Sequence, residues 1–333
     1  MTPQEVGELF EVIQALRDGG VSVIIITHKL EEVVEISDRC YILRRGKQVG
    51  ERETRSSTKA ELANLMVGRD VVLTVVKKPH EVQKKSVMKI ENLNVLNTKK
   101  VKVLSDFSLE IRPGEIVGIA GVDGNGQTEL AEAIMGLIPI ESGKLLHQGE
   151  DIAKLTTKQR IFKKISYVPA DRQQFGLVLP MTIAENMAMG YHDQKPNCKG
   201  LRLDYKYINS HSEELVKRFD IRTSSALVPA GTLSGGNQQK VILARELSRD
   251  PSFLLVSQPT RGLDVGAIEY IHSQILSMRA RNVGILLISM ELEEIFALAD
   301  RIMVIYEGRI VKELRPEKTD EKEVGLYMTG GNA

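Results

Sequence analysis

Three short segments carry residues spaced for phosphate chemistry. Leu233-Ser234-Gly235-Gly236-Asn237-Gln238-Gln239 sets a hydroxyl and two glycines at a helix start, where bare amides and the helix dipole can clamp an anion. Gly121-Val122-Asp123-Gly124-Asn125-Gly126-Gln127-Thr128 fits the phosphate-loop pattern G-x-x-x-x-G-K-[ST] except that Gln127 stands where lysine should be. Its glycines Gly121, Gly124 and Gly126 can still aim amides at phosphates, and Thr128 can still ligate Mg²⁺. The absent cation removes a charge-assisted hydrogen bond of about 1.5–3 kcal/mol. The third segment, Phe253 to Asp264, is an apolar strand ending in Ser257 and Gln258. Neither side chain can act as a general base, and losing such a base costs about 10² to 10⁴ in rate.

These residues need a frame. Glu115 to Ala120 reads as a strand feeding the glycine loop, and Glu129 to Met135 continues as a helix. Val21 to Thr27 reads as a buried strand, as does Val283 to Ser289, because continuous β-branched runs suit a parallel sheet covered on both faces. Sliding the chain by 262 positions aligns 1–68 with 263–330 without a gap and gives about fifteen identities. Leu30-Glu31-Glu32 falls on Leu292-Glu293-Glu294, Asp38-Arg39 on Asp300-Arg301, and Gly46 on Gly308. Each copy reads as helix, strand, helix, strand, turn, strand and a short final helix.

The expected division is therefore 1–69 as the back part of a first domain, 70–86 as a linker, and 87–330 as a complete second domain. The first copy lacks the roughly 175 residues that precede the repeat in the second, so Met1 is read as starting inside a domain. Forty-five basic against forty-four acidic residues leave a net charge of +1, which offers no broad footprint for nucleic acid. Cys40 and Cys198 are too few for a disulfide framework or zinc site and suit a reducing cytosol. No apolar run approaches the roughly 20 residues that cross a bilayer, and the start Met-Thr-Pro-Gln-Glu is not an export signal.

The order of glycine loop, Leu-Ser-Gly-Gly run, apolar strand with Gln258-Pro259-Thr260, Asp264 and the late strand ending at Ser289 resembles the ATP-binding subunit of an ABC transporter. Wider blocks, Ala120–Leu130, Tyr167–Arg172, Gly231–Lys240 and Gln258–His272, resemble the fused two-domain subunits of bacterial simple-sugar and nucleoside importers, nearer the nucleoside branch. The resemblance implies an α/β P-loop NTPase of the ABC type, with a mixed core sheet, an antiparallel N-terminal subdomain and a helical subdomain carrying the signature. It also implies ATP and Mg²⁺ as cofactors, head-to-tail domains, and composite sites in which one domain's P-loop faces the other's signature.

On that basis one site would use Gly121 to Thr128, Ser257, Gln258 and Met290, with every charged position changed. The other would use His28 as the γ-phosphate switch, Ser234, Gly235 and Gly236 from across the interface, and Asp264. One hydrolytic and one non-hydrolytic site are expected, and this chain alone should hydrolyse ATP poorly or not at all. Pro169 to Pro180 falls where the family contacts transmembrane permease subunits, with Ala170 replacing the usual glutamine or glutamate, while Met181 to Gly190 reads as core. An extracytoplasmic solute-binding protein would act through the permease, and the chain would sit on the cytoplasmic face of the membrane. A soluble ABC ATPase without membrane partners and a nucleotide-binding or assembly module without ATPase activity are the alternative readings; co-purification with a permease, and binding without turnover, separate them.

Overall fold

The computed structural model describes residues 3–27, 29–44, 46–70, 77–97 and 99–331. Backbone proximity divides the chain into two units, Met1–Val76 with Gly262–Ser273, and Lys77–Arg261 with Gln274–Ala333.

The first unit opens with helix α1 (Pro3–Asp18), followed by α2 (Leu30–Ile36). A hairpin of β1 (Arg39–Arg44) and β2 (Lys47–Glu53) leads to α3 (Lys59–Val67). The ends of α3 are set locally: the Thr58 side chain accepts from Glu61 N, and Gly68 closes the helix at φ 82°. Leu30, Ile42, Leu62 and Ala63 form a small core against Val33, Leu65 and Val265.

Val21 to Thr27, expected as a buried strand, is neither. The segment forms no ladder, and Ile24 and Ile26 are 92% and 97% exposed. The sheet of this unit contains only β1 and β2, paired with each other. A parallel strand is buried by neighbours on both edges and helices on both faces, and the described residues of this unit supply no such neighbours.

In the second unit, β3 (Met88–Leu96) and β4 (Lys102–Ile111) precede the short strand β5 (Ile116–Ala120) and helix α4 (Gln127–Met135). Then come β6 (Ser142–His147), β7 (Glu150–Asp151), α5 (Thr157–Phe162) and β8 (Ile165–Val168). A single π-helical turn, Arg172–Gly176, leads into α6 (Ile183–Ala188), the hairpin of β9 (Cys198–Lys199) and β10 (Arg202–Leu203), and α7 (Tyr205–Arg218). Helix α8 (Gly235–Leu247) precedes β11 (Phe253–Ser257) and α9 (Val265–Ala280), whose first residues group with the first unit. The chain finishes with β12 (Gly284–Ile288), α10 (Leu292–Leu298), β13 (Arg301–Tyr306), β14 (Arg309–Leu314) and α11 (Glu321–Met328).

Two sheets organise this unit. One is mixed, in the order β14-β13-β5-β12-β11-β8, parallel except for its β13–β14 hairpin. The other, β4-β3-β6-β7, is antiparallel throughout. The apolar core joins residues of both sheets with one face of α4, including Ile90, Phe107, Ile119, Leu130, Ile134 and Leu286. Helices α6, α7 and α8 make the helical part, in which Met181 lies exposed and Ile183 to Ala188 are largely buried. The 262-residue repeat holds for the helices: α1 and α9, and α2 and α10, begin and end at equivalent positions.

Candidate functional site

Strand β5 is buried from end to end, and the chain leaves it at Gly121, where a Cβ would stand 2.5 Å from Ile305 Cγ2 and 2.7 Å from Gln127 Nε2. Glycine is required there by close approach. Gly124 and Gly126 need it for another reason, having φ of 87° and 101°. The loop is latched at its tip: Asn125 Nδ2 donates to Val122 O at 2.9 Å, Asn125 Oδ1 accepts from Glu307 N at 2.6 Å, and Asn125 O accepts from Gly308 N at 3.2 Å. It is a preformed cradle of amides at the start of α4.

Gln127 is buried and folded back into that cradle, its Nε2 donating to Val122 O at 3.0 Å while its Oε1 has no hydrogen-bond partner. Thr128 is exposed on the first turn. At the far end of α4, the buried Arg160 guanidinium donates to Ala133 O and Ile134 O, neutralising the negative end of the helix dipole. Burial, aided by the charge of Glu129, pushes the Glu132 carboxyl up, and burial pushes the Tyr167 hydroxyl up to about 12.

The carboxyl ends of β5, β12 and β11 lie side by side, the usual ligand edge of a parallel sheet. There Ser257 is buried, and Gln258 adopts φ 48°, a conformation costing about 1 kcal/mol or more in a side-chain-bearing residue. Gln258 N donates to Ile288 O at 2.8 Å, and its Oε1 accepts from Met290 N at 3.4 Å. The structure thus brings Gly121 to Thr128, Ser257, Gln258 and Met290 to one edge. At the strand ends Ser257, Gln258 and Met290 offer no acid or base, and the one charged side chain of the loop is the exposed Asp123. Behind it, Thr260 Oγ1 donates to the buried Glu294 Oε1 at 2.9 Å.

The Ser-Gly-Gly run sits elsewhere in this unit, at the start of α8. Ser234 is the N-cap (φ −63°, ψ 157°), yet its side chain makes no capping bond and instead accepts from Asn237 Nδ2 at 2.9 Å. Asn237 Oδ1 in turn accepts from Arg222 N at 2.9 Å. Ser234 is exposed at this corner, and Gly235, Gly236 and Asn237 are half-buried. Asp264 belongs to the other unit, where its exposed carboxylate accepts from Ala267 N at 2.9 Å in the first turn of α9. His28 lies outside the described residues.

The glycine cradle fits nucleotide phosphates. Magnesium fits poorly: the donors on this chain are the Thr128 hydroxyl and a strand end without carboxylates, and among the described residues no cluster of three or more His, Cys, Asp or Glu is placed to hold a metal. Sequence reasoning missed the Asn125 latch, the Thr260–Glu294 bond and the packing of Arg172 beside Gly235. An asparagine inside a glycine loop was a visible signal for the first; the others depend on contacts distant in sequence.

The ABC transporter family matches residues 104–261, which include both the glycine loop and the Ser-Gly-Gly run. The chain is 45% identical to the nucleoside import ATP-binding protein NupA of Lactococcus lactis subsp. cremoris, over all of this chain and 65% of that protein. It is 44% identical to the glucose import ATP-binding protein TsgD13 of Haloferax volcanii, over 99% of this chain and 60% of that protein. The chain thus spans less than two thirds of the length of these relatives. A nucleotide-free ATP-binding cassette from an ABC transporter superposes with a TM-score of 0.61 at 21% identity, covering 73% of this chain and 95% of that one, a likeness of fold. Residues 104–261 of this chain thus form an ABC transporter domain, and relatives named as import ATP-binding proteins match the chain along nearly its whole length.

Proposed function

We propose that the chain acts in the ATP-binding, energy-coupling subunit of an importer for nucleosides or simple sugars. Near-equal identities to a nucleoside and a glucose importer component support that pair of substrate classes. Residues 87–330 serve as an ABC domain with degenerate motifs, residues 1–69 as the counterpart of its back part, and 70–86 as the link. The observation that carries the reading is an asymmetry: the signature at Ser234 to Gly236 is intact, while the chain's own P-loop edge has Gln127, Ser257, Gln258 and Met290 at its polar positions. The signature then completes, with Asp264 and His28, a hydrolytic site on a facing P-loop domain. The glycine loop binds ATP through Gly121 to Thr128 without turning it over, with Thr128 as a weak Mg²⁺ ligand.

Transmembrane permease subunits would dock on the exposed Phe175, Val178 and Met181, and an extracytoplasmic solute-binding protein would act through them. Among the described residues no helix is long and apolar enough to cross a membrane, which suits a peripheral place on the cytoplasmic face. The neutral charge balance gives no support to nucleic acid as a partner.

Nucleotide binding and turnover of the permease-associated protein test this reading. ATP should bind the isolated chain with turnover lower than that of an acid-bearing site by about 10²-fold or more. In the assembled complex, Ser234→Arg should abolish hydrolysis and Gln258→Ala should leave most of it. Loss of activity with Gln258→Ala but not with Ser234→Arg would overturn the assignment.

A further inference from the structure

The hairpin β9–β10 carries an apolar tip between cations. Its two pairs, Lys199 with Arg202 and Cys198 with Leu203, are joined by the turn Gly200-Leu201, in which Gly200 has φ 65°. Glycine suits a hairpin turn whose first central residue has positive φ, and it leaves Leu201 at the tip, fully exposed. Two other two-residue turns of this unit, Gln148-Gly149 and Glu307-Gly308, place a polar side chain first and glycine second. A side chain left in water adds no burial to folding, so Leu201 does nothing for this fold that a polar residue would not do.

Lys199 and Arg202 stand directly opposite each other, and like charges so placed weaken a strand pair. Side chains alternate between the two sides of a ribbon, so these cations share one side, while the other is seated by the buried Cys198. Asp204 relieves only one of them: its carboxylate lies 2.7 Å from Lys199 Nζ and also accepts from Tyr207 N at 3.3 Å, capping α7. Arg202 has no ion-pair partner among the described residues. Residues 195–206 set Lys195, Lys199, Arg202 and Lys206, all exposed, against Asp204 alone, a local charge of +3 on a chain of net charge +1. The stem is fastened: Asp204 N donates to Asn197 O at 2.8 Å, and Asn197 Nδ2 donates to Tyr191 O at 3.1 Å.

A leucine flanked by cations at the end of a fixed ribbon, with the exposed Leu203 and Tyr205 close by in the chain, matches the layers of an anionic bilayer. Headgroups meet the cations, and the acyl boundary beneath them takes the leucine. We propose that the hairpin β9–β10 is a membrane-surface contact, in which Leu201 enters the headgroup region of anionic lipids while Lys199 and Arg202 pair with the headgroups. Nucleic acid would satisfy the cations and leave the leucine in water; an apolar protein groove would do the reverse. Each cation is worth roughly fivefold in binding to an anionic surface, so a patch of net charge +3 supplies on the order of 100-fold. Such a contact is salt-sensitive and adds to whatever else holds the chain at the membrane. The inference goes beyond the importer reading and does not depend on it, because lipid alone is the ligand.

The chain contains no tryptophan, so Leu201→Trp in the full chain places a single reporter at the tip. With vesicles of phosphatidylcholine and phosphatidylserine its emission should move to the blue, and raised salt should reverse the shift. With phosphatidylcholine alone the emission should stay where it is in buffer. In co-sedimentation with the anionic vesicles, Arg202→Glu should weaken binding by about tenfold or more and Leu201→Ser severalfold. Lys154→Glu, the same charge change at an exposed residue elsewhere in the unit, should change binding by about twofold or less. An unshifted emission on anionic vesicles, an equal loss from Lys154→Glu, or a shift that requires a permease in the bilayer would sink the proposal. Its failure would leave the importer reading standing, since that reading is tested by hydrolysis in the assembled complex.

Discussion

The two copies of the repeat present one sequence pattern in two states. Gly284–Ile288 is the strand β12, flanked by β5 and β11 in parallel and completely buried. Its equivalent around Ile24 and Ile26 forms no ladder and is open to solvent. The helices before and after it, α1 and α2, keep the boundaries of α9 and α10. Helices satisfy their own backbone, whereas a strand depends on partners it does not contain. An apolar run is therefore a demand for burial and does not itself provide it.

The same contrast runs through a charged pair. Arg279 forks onto Asp300 with two bonds of 2.9 Å, and Asp300 also accepts from Ile116 N on β5 at 2.9 Å. In the first copy Arg17 holds its exposed neighbour Asp18 instead. Asp300 is fixed by a strand of the complete sheet, so arginine and carboxylate meet in a defined geometry.

Matched substitutions can break this comparison. The largest difference is expected in the strand itself: Leu286→Ala should cost about 2–5 kcal/mol, and Ile24→Ala should stay within about 0.5 kcal/mol, as measured by denaturant unfolding. Equal costs would mean that Ile24 is buried in solution. Next, Arg279→Ala should destabilise by about 1.5–3 kcal/mol, because it removes two charge-assisted bonds from Asp300 while Lys77 at 3.2 Å and Ile116 N remain, whereas Arg17→Ala should cost well under about 1 kcal/mol.

Turn glycines sharpen the point. Gly46 and Gly308 have nearly equal φ of 72° and 74°, but a Cβ on Gly46 meets nothing within 4 Å and one on Gly308 would lie 2.2 Å from Val103 O. Alanine at 46 should cost about 1 kcal/mol, for strain alone, and alanine at 308 more, with a clash against backbone added. Thermal unfolding of the two variants separates the terms.

The smallest effect is set by pH. Burial, with Lys163 nearby, holds the His147 imidazole down to about 4 from its usual 6.5, and its Nε2 lies 3.0 Å from Ser252 Oγ. The unfolded chain binds the proton first, so stability present above pH 6.5 should decline as pH falls toward 4, by about 2 kcal/mol or less. Replacement by His147→Gln should flatten that slope, and structure confined to the first unit should not follow it.

Much of the candidate site was legible as sequence. The glycine loop and the signature announce themselves because backbone approach to an anion excludes side chains, and Gln127, Ser257 and Gln258 declare what is missing by their chemistry alone. The Thr260–Glu294 bond and the packing of Arg172 beside Gly235 were not legible, since each joins residues tens of positions apart.

By itself the sequence determined the repeat, the order of its helices, the glycines of the loop and the absence of acids at Ser257 and Gln258, all of which follow from local backbone requirements or residue chemistry. Tertiary structure alone decided which apolar run is a strand, which arginine finds its aspartate, and why Gly308, a Cβ on which would lie 2.2 Å from Val103 O, has no space for a side chain. Those outcomes depend on neighbours brought in from elsewhere in the chain, and no local pattern contains its neighbours.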